Sequence, residues 1–264
     1  MPSVLTIAGS DPSGGAGIQA DLKTYAALGV YGLSAITAIT AQNTMGVMAV
    51  YEAPPEIVAA QIDAVFADIV PDAVKTGMLA NAAIVQVMAE KARQHAFQNL
   101  VVDTVMASKS GARLLSDDGV EAMRELLLPL AEVVTPNLPE AEVLLERKIE
   151  SAADIRDAAR AIQAMGARHV VIKGGHREGD TAVDVLFDGR EFREYSAPRI
   201  ETASTHGTGC TFASAIAAFL ARGETAPAAV GHAKEYVTEA LRRAQPIGRG
   251  HGPLHHFWQW QKRQ

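Results

Sequence analysis

The sequence predicts an α/β fold: a mostly parallel central sheet with helices on both faces and a short edge hairpin. Three observations carry this expectation. Short apolar runs alternate with helix-patterned stretches at least six times, the rhythm of strand–helix–strand units joined by crossovers. The runs are continuous rather than alternating, as strands covered on both faces are. Near the C-terminal third, Asp188-Gly189 separates two strand-like stretches, a strong hairpin signal.

Taken in order, residues 4–8 form the first buried strand, and 9–17 a loop rich in glycine and turn residues. Residues 18–28 read as a helix closed by Gly29. The second strand spans 33–40 and runs out at Ala41-Gln42-Asn43. A short strand follows within 44–53, and Pro54-Pro55 opens a helix over 56–66, proline being tolerated in a first turn. Residues 73–78 are a strand meeting a loop, 84–93 a helix, and 100–103 a strand that ends in Asp103. Residues 119–130 are helical, and 133–135 are a strand left through Pro136-Asn137-Leu138-Pro139-Glu140. Helices follow at 140–146 and 152–165, the second closed by Gly166. The strand at 169–173 runs into Gly174-Gly175, and the hairpin arms are 182–187 and 191–196. Thr205-His206-Gly207-Thr208-Gly209-Cys210 opens a largely apolar helix to Arg222, and a last helix covers about 226–243. The His- and Trp-rich tail, 251–264, has no evident assignment.

The chain is 264 residues long with no linker-like stretch and no internal repeat, so a single domain, 1–264, is expected. Net charge is −6, and the only basic run is the short Lys262-Arg263 end, which argues against nucleic acid as a partner. One cysteine excludes an internal disulfide. No signal peptide and no run of membrane-spanning length is evident, so the cytoplasm is the expected compartment.

In such sheets ligands lie off the C-terminal strand ends. The residues there are Gln42, Met78, Asp103, Asn137, Glu140, Lys173 and the 205–210 loop. There is no P-loop pattern. Gly15-Ala16-Gly17-Ile18-Gln19-Ala20 loosely fits a dinucleotide loop, but the second strand ends in Gln42-Asn43 without the acid that would hold a ribose. Phosphoryl transfer of another kind fits better. It needs a cation site, a positive contact to phosphate, donors for the transferring oxygens and a base. Asp103, Asn137 and Glu140 offer oxygens to Mg²⁺, and Lys173 can reach a phosphate. The amides of Gly207, Thr208, Gly209 and Cys210, at a helix N-terminus, can hold developing negative charge. The same field could lower the pKa of Cys210 and make it the base.

These residues lie in longer motifs. Ile7-Ala8-Gly9-Ser10-Asp11-Pro12-Ser13-Gly14-Gly15-Ala16-Gly17, Lys75-Thr76-Gly77-Met78-Leu79 and Thr135-Pro136-Asn137-Leu138-Pro139-Glu140 are three of them. Lys173-Gly174-Gly175-His176 and the 205–211 stretch are two more. With these motifs, almost end to end, the chain resembles the ribokinase superfamily. Within it, it resembles the hydroxymethylpyrimidine/phosphomethylpyrimidine kinases of thiamine biosynthesis. The resemblance implies a ribokinase-like three-layer sandwich and two successive phosphorylations by ATP with Mg²⁺. The 5-hydroxymethyl group of 4-amino-5-hydroxymethyl-2-methylpyrimidine is phosphorylated first, and then its monophosphate. It implies that Gln42 and Asp21 contact the pyrimidine or its hydroxyl, and that Met78 and Val105 line the ring pocket. It implies ATP and Mg²⁺ roles for Asn137, Glu140, Lys173, Thr205 and Lys234, and a homodimer. A glutamine carboxamide complements the amino and ring-nitrogen pair of an aminopyrimidine, as amides do with adenine. Residues 107–113 depart from the usual form, and the hairpin is too short for a full lid. Competing expectations are a pyridoxal/pyridoxine kinase on the same scaffold, a metabolite-binding protein without turnover, and a dehydrogenase.

Overall fold

The protein, seen here as a computed structural model, is described over residues 1–108, 111–175 and 179–260. His176, at the end of one quoted motif, and the basic Lys262-Arg263 end lie outside the described residues. Strands are β1 (Ser3–Ser10), β2 (Tyr31–Asn43), β3 (Gly46–Glu52), β4 (Ala73–Thr76), β5 (Leu100–Val102), β6 (Val133–Val134), β7 (His169–Ile172), β8 (Thr181–Phe187) and β9 (Phe192–Pro198). They pair into a nine-stranded sheet of order β3-β2-β1-β4-β5-β6-β7-β8-β9. The centre, β2 through β7, is parallel. β3 joins antiparallel at one edge, and the β8–β9 hairpin closes the other.

Helices are α1 (Gly17–Ala27), α2 (Pro55–Phe66), α3 (Ala82–Gln94), α4 (Asp117–Ala122), α5 (Leu138–Leu145), α6 (Ala152–Gln163), α7 (Thr208–Ala221) and α8 (Ala226–Arg242). Alternation along each strand sends side chains to two cores. Leu5, Ile7, Val102, Val134 and Ile172 pack with residues of α2 to α6. Val4, Val101, Val133 and Val171 pack with residues of α1, α7 and α8. The three-layer arrangement expected from the sequence is therefore present. Every residue from Thr211 to Leu220 of α7 is buried, so this helix is as fixed as the sheet. Among the described residues, no helix is long and apolar enough to cross a membrane.

Two stretches differ from the sequence reading. The helix expected over 119–130 starts at Asp117 and widens into a π turn at Met123–Leu127, then tightens into a 3₁₀ turn at Leu128–Leu130. Pro129 has no N–H to continue the ladder and crowds the preceding turn. The unassigned tail has a definite seat. His206 bridges to Pro253, the His206 N–H donates to the Gly252 carbonyl at 2.9 Å, and the Tyr236 hydroxyl donates to the His256 carbonyl at 2.6 Å.

Candidate active site

The C-terminal ends of the parallel strands converge as the topology requires. β5 delivers Asp103, β6 delivers Asn137 and Glu140, and β7 delivers Lys173, with Asn137 and Lys173 bridged backbone to backbone. Lys173 Nζ lies 3.0 Å from Asp103 Oδ1 and 3.9 Å from Glu140 Oε2. Thr135 Oγ1 donates to Asp103 Oδ1 at 3.3 Å. Asn137 and Glu140 form a reciprocal capping box on α5: each side chain accepts the other's backbone N–H at 2.8 Å. Thr104 Oγ1 also donates to Glu140 Oε2, at 2.9 Å. Burial works against charge on Lys173, but Asp103 and Glu140 outweigh it and hold the ammonium above its ordinary pKa. Burial, with the Asp103 charge beside it, raises the pKa of Glu140.

Both carboxylates keep one oxygen, Asp103 Oδ2 and Glu140 Oε1, without a hydrogen bond among the described residues. Such hard oxygens fit Mg²⁺, which is commonly held by one or two carboxylates together with water and phosphate oxygens. No group of three or more His, Cys, Asp or Glu side chains arranged as a metal cage occurs among the described residues.

The entrance of α7 sits directly over this cluster. A Cβ on Gly209 would lie 3.4 Å from Lys173 Nζ and 3.9 Å from Asp103 Oδ2. Gly207 has φ +80°, and a Cβ there would be 1.8 Å from the Gly15 carbonyl oxygen. Only glycine allows the two loops to touch backbone to backbone in this way. Thr208 turns its hydroxyl to the Thr205 carbonyl at 2.7 Å and its N–H to the same oxygen at 3.4 Å. Cys210 follows, partly exposed. Its sulfur does not meet the expectation of a lowered pKa. Burial pushes the thiol up to about 11, against the pull of the Lys75 ammonium, with Asp103 and Asp21 adding to the rise and the Gly17 N–H opposing it. The helix N-terminus is a weaker influence than the desolvation of the sulfur.

Gln42, at the end of β2, lies beside the same loop. One terminal atom of its carboxamide is 3.2 Å from His206 Nε2, and the other is 3.3 Å from Thr40 Oγ1. His206 Nε2 is also 2.8 Å from Asp11 Oδ2. Asp11 is buried and accepts the Ser13 and Ala16 N–H groups, each at 2.8 Å. Met78 and Val105 are half-buried at the ends of β4 and β5, with the Met78 sulfur 3.1 Å from where a Cβ on Gly9 would be. Asp11 and His206 were missed as site residues. The cue is Asp11-Pro12-Ser13, an aspartate turn able to present a carboxylate, and a histidine inside the glycine loop.

Two expected site residues are placed otherwise. Asp21 does not reach the cleft. It is fully enclosed and accepts from Thr6 Oγ1 and Ser214 Oγ, each at 2.6 Å, and from Lys75 Nζ at 2.9 and 3.1 Å. With every lone pair directed inward, it holds α1, β4 and α7 together rather than a ligand. Lys234 pairs with Asp184 Oδ2 at 2.9 Å, and Asp184 Oδ1 accepts the Gly174 N–H. Lys234 thus borders a cavity of about 580 Å³ beside β9 and α8, and reaches the Lys173 strand end only through Asp184.

Comparisons with known proteins find relatives along almost the whole chain. The phosphomethylpyrimidine kinase family model matches residues 11–255. The hydroxymethylpyrimidine/phosphomethylpyrimidine kinase of Bacillus subtilis is 50% identical over 254 residues, covering 96% of this chain and 94% of that protein. The thiamine biosynthesis bifunctional protein ThiED of Geobacter sulfurreducens is 53% identical over 97% of this chain, which spans about half (52%) of that longer protein. The structure of Bacillus subtilis pyridoxal kinase with ADP superposes with TM-score 0.90 at 40% identity, covering 97% of each chain.

Proposed function

We infer the reaction from a premise that the matches above establish: the chain belongs to the phosphomethylpyrimidine kinase family. The proposed activity is ATP-dependent phosphorylation of the hydroxymethyl group of 4-amino-5-hydroxymethyl-2-methylpyrimidine, then of the resulting monophosphate to the diphosphate. The observation that carries this reading is the stack of Asp103, Lys173 and Gly209 at the α7 entrance, with Gln42 joined to that loop through His206.

In the proposed reaction the substrate hydroxyl oxygen attacks the γ-phosphorus while the bond from phosphorus to the ADP oxygen breaks. Lys173 pairs with the transferring phosphoryl oxygens, and the Gly209 and Cys210 amides face the charge that builds on them. Asp103 and Glu140 would hold Mg²⁺, which screens the triphosphate charge. Cys210 receives the hydroxyl proton as the thiolate, after its own proton has left to solvent. A thiol at about 11 is protonated at rest, so its basic form is scarce at neutral pH. A loose transition state asks for little base strength before the new bond forms, and proton transfer then accompanies or follows phosphoryl transfer. In the second step a phosphate oxygen of the monophosphate is the nucleophile, and this demand is smaller still.

Asn137 and Thr205 are assigned to the nucleotide side and Gln42, Met78 and Val105 to the pyrimidine. Water exclusion would come from the loops at 103–112 or 174–181, each of which includes residues outside the described ones, or from a second subunit. A homodimer is proposed from the β2–β3 edge, where Ile39 of β2 and Met48, Val50 and Tyr51 of β3 expose apolar surface. Sedimentation should then give twice the chain mass. A cytoplasmic location follows from the same reading, since the reaction consumes ATP.

ATP consumption with the free pyrimidine alcohol, followed by mass identification of mono- and diphosphate, tests the assignment. Absence of both products would refute it. The second reading, a pyridoxal kinase, is favoured by the close superposition on the B. subtilis enzyme. Parallel assays with each alcohol separate the two. Gln42→Leu should raise the KM for the aminopyrimidine about tenfold or more and leave that for ATP within about twofold. Equal damage to both would make Gln42 structural.

A further inference from the structure

The Asp11–His206–Gln42 chain poses a question of proton placement. Burial would raise the pKa of Asp11, but hydrogen bonds from His206, Ser13 and Ala16 hold it down to about 2. Its carboxylate is therefore only an acceptor at neutral pH. The 2.8 Å contact with His206 Nε2 then requires that nitrogen to carry its proton. A protonated ring nitrogen cannot also accept from the Gln42 NH₂ at 3.2 Å.

A carboxamide can turn by half a revolution and exchange its oxygen for its nitrogen, and the hydrogen-bond partners decide which orientation holds. Thr40 decides at the far end. Its single hydroxyl proton goes to the Ser10 carbonyl at 2.8 Å, leaving Oγ1 as an acceptor toward Gln42. An amide with its oxygen toward His206 and its NH₂ toward Thr40 satisfies both ends. The reverse orientation satisfies neither. His206 itself cannot swing away. Its backbone is bonded to Gly252, and its ring lies on Gly15, where a Cβ would come within 2.4 Å of Cδ2.

We propose that His206 is a specificity-positioning residue. Sharing its single Nε2 proton between Asp11 and the Gln42 oxygen in a three-centre bond, it turns Gln42 so that the substrate's exocyclic amino group binds on the His206 side and its ring nitrogen on the Thr40 side. This rests on the pyrimidine kinase reading and deepens it. After His206 and Thr40 are served, Gln42 retains one oxygen lone pair and one N–H, the complement of an aminopyrimidine edge. A ring that offers only acceptors at those positions would face the fixed oxygen with no proton to give.

The test combines kinetics with spectroscopy. In His206→Ala, kcat/KM for the aminopyrimidine alcohol should fall by roughly 10- to 100-fold, mostly through KM. Its preference over the analogue lacking the 4-amino group should shrink by a similar factor, and the KM for ATP should stay within about twofold. Thr40→Val, nearly isosteric, should shift the same preference by a smaller factor. An unchanged preference in a folded His206→Ala enzyme would overturn the proposal. Independently of any variant, ¹⁵N-histidine spectra of the wild-type protein at pH 8 should show His206 Nε2 as a protonated, pyrrole-type nitrogen, and a pyridine-type shift there would refute the geometry. Wild-type enzyme inactive on the aminopyrimidine would instead refute the functional reading, and the nitrogen shift would still decide the orientation of Gln42.

Discussion

Two of the protein's aspartate–lysine pairs, Asp21–Lys75 between α1 and β4 and Asp103–Lys173 across the ends of β5 and β7, do opposite work. Asp21–Lys75 is sealed, with both side chains fully buried, and Thr6 and Ser214 take up its remaining lone pairs. Asp103–Lys173 opens on the cleft, with the lysine side chain 14% exposed and Asp103 Oδ2 without a hydrogen bond among the described residues. A sealed pair whose hydrogen bonds are all spent internally stabilises a packing arrangement, and breaking one side is costly because it strands the other charge. A pair with spare donors and acceptors is available to a third party. The surplus of unsatisfied groups, not the presence of charge, is what singles out Asp103–Lys173 as the pair proposed to meet a phosphate.

The comparison is broken or sharpened by removing one lysine at a time. Lys173→Met should lower kcat/KM by on the order of 10³-fold or more while shifting Tm by only a few degrees. Lys75→Met should cost about 3–5 kcal/mol of stability, read from denaturant unfolding. If the two variants exchanged phenotypes, the distinction between the pairs would be wrong. Cys210 lies near both pairs, on the same helix as Ser214. Cys210→Ala should bind both substrates yet lose about 10²-fold or more in turnover, and near-normal turnover would remove it from the mechanism. In the wild type, alkylation of Cys210 should keep accelerating as pH rises toward about 11, because only the thiolate reacts.

A third sealed group extends the contrast to acid. Burial, helped by the charge of Lys23, lowers the pKa of His256 from 6.5 to about 4, and its ring lies 3.1 Å from Thr211 Oγ1. Between those values the unfolded chain takes up a proton that the folded chain refuses. Stability therefore falls as pH drops through the window from 6.5 toward 4, by up to about 3 kcal/mol, and is restored above it. His256→Gln should flatten that limb in thermal melts taken across pH, and an unchanged slope would place the titrating group elsewhere.

The fold was largely legible because its strands are short unbroken apolar runs between glycines, a pattern few alternatives share. Asp103, Asn137, Glu140, Lys173 and the Gly207–Cys210 loop were legible for a related reason, since topology forces parallel strand ends to one side. What failed depends on partners distant in sequence. Asp21, on α1, looks like a site residue until Lys75, from β4, arrives to neutralise it. The Asp11–His206–Gln42 chain joins three segments that nothing local connects. The Cys210 thiol was misjudged because a helix N-terminus is visible in a sequence, whereas the desolvation of a sulfur by residues distant in the chain is not.

The seating of residues 252–256 against His206, Thr211 and Tyr236 has a consequence for how this protein comes into being. The glycine entrance of α7 is translated well before the strap that fastens it, so a nascent chain still missing that strap holds the catalytic parts without their clasp. The proposed site is then complete only once residues 252–256 have emerged and docked, and a chain lacking them would keep its sheet pairings but leave the α7 entrance unfastened.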